Sequence, residues 1–226
     1  MSVLVWLGSA PPERSIRWLD GALAAAATLA RPGAKEPRVH ALAAGAPTWL
    51  DLAADRATRA GVGSVGVTTD LALDYLGWGQ VVAAVARMLD ATTVLVDEAS
   101  RPARVPEVAA IAEHLDYAQV TQVVALARDG QDVHASRAAA RTTQRVRLRG
   151  PAVIGVRIAG PAIEDYPTPT PSTAMRRLAL EELGVEPSVL ARRALPPRAN
   201  REPRRTVAEV AEHLAVHVVP RPGGGA

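Results

Sequence analysis

The feature that most constrains this chain is a rhythm. Short apolar runs at residues 3–7, 39–43, 64–68 and 92–96 alternate with helically spaced segments at 16–30, 50–60, 80–89 and 107–117. A strand buried on both faces reads as a continuous apolar run, because neither side can be polar. The intervening segments carry their apolar residues three and four apart, as in Val81, Val82, Val85, Met88 and Leu89, and again in Val108, Ile111, Ala112 and Leu115. Repetition of this β-α unit predicts an α/β fold, a parallel sheet with helices on both faces.

After residue 117 the rhythm changes. Residues 120–126 read as a strand, Asp129-Gly130 as a hairpin turn, and 132–136 as the returning strand. Residues 145–149 alternate strictly between Arg and apolar side chains, as a half-exposed strand does, and 152–158 form another apolar run. An antiparallel hairpin extension is therefore expected on a parallel sheet. Further on, residues 166–171 form a proline-punctuated loop, 172–183 read as a helix stopped by Gly184, and 187–205 are rich in Pro and Arg. Thr206 and Glu209 make a capping box for a last helix. These shifts predict an α/β domain over residues 1–184 and a C-terminal arm and helix over 185–226, ending in a glycine-rich tail expected to be disordered.

Composition removes several classes of function. The chain has no cysteine, which excludes disulfides, thiolate metal sites and cysteine nucleophiles. Lys35 is the sole lysine, so the net charge of +3 rests on arginines spread through 226 residues. Apart from a cluster of Arg192, Arg193, Arg198, Arg201, Arg204 and Arg205, they do not build the basic, aromatic-interleaved face that nucleic acid needs. No apolar stretch reaches the roughly 18 residues of a membrane span, and no signal peptide is apparent, so a cytoplasmic protein is expected. Phenylalanine is absent and alanine fills much of the apolar pattern, which leaves little apolar area per buried residue.

Three local patterns invite a functional reading. Gly61-Val62-Gly63-Ser64-Val65-Gly66 matches the dinucleotide fingerprint by letter, but a helix precedes it and a strand follows. The phosphate-binding motif requires the opposite order, so a helix stop and tight turn is the reading adopted. His213 and His217 are four apart, yet no third ligand accompanies them and no metal is expected. Asp97 and Glu98 follow the fourth run, where open α/β sheets bind ligands, with Arg101 and Arg104 on the same loop. Those arginines suit a nucleotide phosphate; a solvated loop with internal ion pairs accounts for them equally.

Several stretches resemble the beta subunit of electron-transfer flavoproteins. They are residues 39–45, 57–68, 93–96, 112–115 and 150–154, the segment Asp165-Tyr166-Pro167, the prolines 196 and 197 with Arg198, and residues 206–214. The resemblance implies an adenine-nucleotide α-hydrolase-like fold and a heterodimer with an alpha-type subunit that holds most of one FAD. This chain would be an electron-carrier subunit without turnover of its own, serving a dehydrogenase or a quinone-linked acceptor. It further implies cofactor contacts at Gly8, Ser9, Gly45, Asp97, Arg101 and Arg104. Partner docking would fall to Tyr166, Pro167, Thr170, Met175, Arg176 and Arg177.

The sequence departs from the family in two loops. The family's acidic, Gln- and Gly-containing loop for AMP or a second FAD reads here from Arg101 to Val108 with arginines and prolines, and its glycine is Val108. The leucine offered to dehydrogenases corresponds roughly to Thr170, which points to a different partner. Two alternatives accompany the main reading. One is a stand-alone nucleotide-binding protein resembling universal stress proteins; the other is a structural subunit without cofactor contact.

Overall fold

The computed structural model describes residues 2–10, 17–30, 39–99, 105–139, 141–159, 175–186 and 190, all within one compact unit, Met1–Ala194. Arg101, Arg104, Tyr166, Pro167, Thr170, most of the 185–226 arm, the capping box and the His213/His217 pair lie outside them.

The β-α rhythm is realised as β1 (Val3–Gly8), α1 (Arg17–Leu29), β2 (Val39–Gly45), α2 (Pro47–Arg59), β3 (Gly63–Thr68), α3 (Tyr75–Met88), β4 (Thr93–Asp97) and α4 (Val105–Leu115). The extension follows as β5 (Ala118–Asp129), β6 (Asp132–Ala139) and β7 (Thr142–Leu148), then β8 (Ala152–Val156) and β9 (Arg176–Leu178). They form a nine-stranded sheet in the order β7-β6-β5-β8-β4-β1-β2-β3-β9. Among the described residues, only the β5–β6 and β6–β7 pairings are antiparallel.

Alternate residues of each central strand enter opposite layers, as strand geometry requires. Val3, Val5 and Leu7 of β1 pack with Leu19, Leu23, Trp49 and Leu50 from α1 and α2. Leu4 and Trp6 pack with Val81, Val85, Val108 and Ile111 from α3 and α4. With no phenylalanine available, tryptophan supplies the bulk: Trp6 and Trp49 are 0% and 2% exposed, and an aromatic of this size buries about 150–250 Å².

Two expectations are corrected. The helix expected at 80–89 starts earlier, at Tyr75, because the Asp74 side chain accepts from the Gly77 N–H as an N-cap. The helix expected at 172–183 is absent from its described part, residues 175–183, which hold β9 and a single 3-10 turn, Glu181–Leu183. Leu178 and Leu180 are buried two apart, a strand spacing, and β9 finds an open edge beside β3. Gly184 still terminates the segment with a left-handed φ of +65°, after a 3-10 turn in place of a helix. Beyond it, Val185 and Leu190 are buried in the α3/α4 layer, so the chain goes on filling this core past residue 184.

Candidate functional site

The sheet order reverses direction at β1. From β1 the chain proceeds outward through β2 and β3, then returns to place β4 on the other side of β1. The helix after β1 lies on one face and the helix after β4 on the other. Diverging connections leave a crevice at the carboxyl ends of the two strands, the usual ligand position in an open α/β sheet. Gly8-Ser9 and Asp97-Glu98 are the residues that border it.

On the β1–β2 side the lining is backbone. Gly8 and Gly45 end adjacent strands with φ of +108° and +118°, conformations that a side chain opposes. A Cβ on Gly45 would stand 2.6 Å from the Ser9 carbonyl oxygen. The structure thus brings Gly8, Ser9 and Gly45 together. Trp49 Nε1–H donates to the Gly8 carbonyl at 2.9 Å, tying the start of α2 to the end of β1.

On the β4–β8 side the lining is side chain. Asp97 and Glu98 are each 1% exposed, which rules out a solvated loop at these two positions. Asp97 Oδ1 accepts from the Ala99 N–H at 2.9 Å and fixes the turn out of β4. Glu98 runs across β8, where a Cβ on Gly155 would collide with its Oε1. Its Oε2 accepts from the Gln122 N–H at 2.8 Å. Burial pushes the Glu98 carboxyl above the usual range and Asp97 adds to that, while the Gln122 N–H, Arg157 and Arg137 oppose it. Deeper on the same face as α4, Trp6 Nε1–H donates to Glu107 Oε2 at 2.9 Å, and the Trp6 and Trp78 rings lie 5.7 Å apart.

The glycines of the rejected fingerprint each have a local cause. Gly61 follows α2 with φ +68°, Gly63 makes room for the His40 ring, and Gly66 makes room for Met175 Sδ. Met175 is therefore turned inward over β3, whereas Arg176 is exposed and Arg177 bonds Asp51 at 2.5 Å. Sequence reasoning missed Trp6, Glu107 and Gln122 as parts of the crevice. It also passed over Gly155, although a glycine inside an apolar strand signals close approach of another group.

The electron transfer flavoprotein domain matches residues 18–182 of the chain. The chain belongs to that family. No curated protein matches it significantly. Among the described residues of this electron transfer flavoprotein domain, no three His, Asp or Glu side chains group to hold a metal, and no helix is long and apolar enough to cross a membrane.

At Gly8, Ser9 and Gly45 the lining is backbone packed on backbone, with the Ser9 carbonyl against Gly45. A phosphate at the start of α4 does not fit: Pro106 lacks an N–H, Glu107 already places a carboxylate in the first turn, and Val108 is a fully buried core residue.

Proposed function

We propose that this chain is a beta-type electron-transfer flavoprotein subunit, paired with an alpha-type subunit that carries most of one FAD. One observation supports the reading most. The β1 and β2 ends of the crevice are glycine backbone and the β4–β8 end is filled by the chain's own side chains, which suits a flavin held mainly by a second protein. When bound, the flavin supplies the electron-accepting and electron-donating chemistry. This chain's residues border it with Gly8, Ser9 and Gly45 and exclude water through the buried Trp6, Trp49 and Trp78. On this reading the chain has no turnover of its own, and the part of the 185–226 segment beyond Leu190 serves as the arm on the partner. Electrons pass between a dehydrogenase and an acceptor, with docking assigned to the segment from Tyr166 to Arg177.

A native pull-down of the chain from its own cells tests this. The expected result is an equimolar alpha-type flavoprotein, yellow and carrying FAD, while the chain purified alone is colourless. A homo-oligomer carrying ATP, or a yellow chain on its own, would overturn it.

A further inference from the structure

Of the four tryptophans, three are buried and Trp18 is half-buried. Two of the buried three hold their indole protons in different ways. Trp49 Nε1–H donates to the Gly8 carbonyl, a neutral acceptor that cannot keep a proton. Trp6 Nε1–H donates to a carboxylate, Glu107 Oε2, at 2.9 Å. The contact joins β1, inside the sheet, to the first turn of α4. An indole N–H is a very weak acid, so at rest this is only a hydrogen bond. Loss of one electron from the ring makes that proton strongly acidic, and a base within about 2.6–3.2 Å can then take it. The carboxylate also favours the loss itself. A positive ring beside a negative group is stabilised most where water is excluded, and Trp6 is 0% exposed. The Trp78 ring, 5% exposed, lies 5.7 Å from the Trp6 ring, centroid to centroid. That is aromatic contact, close enough for an electron to pass directly between the two.

We propose that Trp6 is a one-electron donor site whose proton acceptor is Glu107. The co-reactant is a one-electron oxidising radical, such as the carbonate radical anion. That radical gains one electron and becomes carbonate. Trp6 loses the electron and passes its Nε1 proton to Glu107 Oε2, leaving a neutral indole radical and a neutral carboxylic acid. No positive charge then stays on a buried ring, where the apolar core would penalise it. Ascorbate returns the electron and Glu107 the proton, which restores the starting pair. Trp49 has no such route, because its acceptor is a carbonyl. The site needs no bound flavin, so it stands apart from the subunit role proposed above.

The test is flash oxidation of the full-length chain by photogenerated tris(bipyridine)ruthenium(III), in a Trp18→Phe background that removes the most exposed indole. Transient absorption separates the neutral indole radical from the protonated cation radical, whose visible bands differ. The chain with Trp6 and Glu107 intact is expected to give a long-lived neutral radical. Glu107→Gln keeps a hydrogen-bond acceptor but is a far weaker base. It should show the cation radical first and form the neutral one about a hundredfold more slowly. Trp6→Phe should lose the fast neutral radical altogether. If Trp6→Phe fails to fold, Glu107→Gln decides alone, since it preserves the side-chain shape and the acceptor. The same radical formed at the same rate with and without the Glu107 carboxylate, or a neutral radical formed as fast in W6F, would overturn the proposal.

Discussion

The two walls of the crevice are made in opposite ways. On the β1–β2 wall the ends of the strands are glycine, and main-chain atoms approach each other where no side chain fits. On the β4–β8 wall the one glycine, Gly155, exists to be covered, and a carboxylate lies over it. The first wall is closed by main chain against main chain; the second is closed by a side chain. The carboxyl end of one sheet is thus closed in two ways, and the difference lies in what forbids a Cβ. Backbone forbids it at Gly45, a side chain at Gly155.

The largest effect expected from this contrast is at Gly45. Gly45→Val meets both a φ of +118° and the Ser9 carbonyl, neither of which can yield cheaply, and should cost about 4 kcal/mol in urea unfolding. No single second change is expected to restore it; recovery by shortening one neighbouring side chain would break the comparison.

A second buried carboxylate gives the contrast a pH axis. Asp20 of α1 is 1% exposed and pairs with Arg56 of α2 at 3.4 Å, and among the described residues no backbone N–H reaches it as one reaches Glu98. Burial pushes its carboxyl up to about 6 against the pull of Arg56. The folded state then holds this proton more tightly than the unfolded chain, whose aspartates titrate near 3.9. Its contribution is thus most favourable below about pH 4, declines as pH rises through about 6, and is level above, a span of about 3 kcal/mol. Urea midpoints of Asp20→Asn and wild type, compared at pH 4.5 and 7, should show the variant gaining on wild type as pH rises. A constant difference between them would remove Asp20 as the cause.

The smallest of the three effects sharpens the comparison most. Gly155→Ala should cost about 2 kcal/mol by expelling the Glu98 side chain, and it should cost much less in a Glu98→Ser background. Additive losses in that double-mutant cycle would mean that the carboxylate does not occupy the space above Gly155.

Much of the fold was legible because it is periodic. Continuous apolar runs and helical spacings locate β1 to β4 and α1 to α4, and Asp129-Gly130 marks the hairpin, where Gly130 has φ of +59°. The place of β8 was not legible: it enters between β4 and β5, a long-range pairing that no local pattern encodes. Residues 172–183 misled because Met175, Leu178 and Leu183 fit a helix as well as a strand, and only the free edge of β3 decides between them. Of the site, the glycines could be suspected at strand ends. The burial of Glu98 could not, since a carboxylate in a charged stretch reads as solvated until its cover and its donors are known. Trp6 and Glu107 are 101 positions apart and meet only through the packing of α4 on the sheet.

The cover over Gly155 also fixes an order of change. Any residue larger than glycine at 155 collides with the glutamate while position 98 is unaltered, whereas a shorter residue at 98 leaves position 155 free to vary. A lineage leaving this arrangement therefore passes first through the loss of the acid and only then through the gain of a side chain. One entering it must do the reverse, acquiring the glycine before the acid. Between the two lies an intermediate with glycine and no acid, the state in which this wall of the crevice is open.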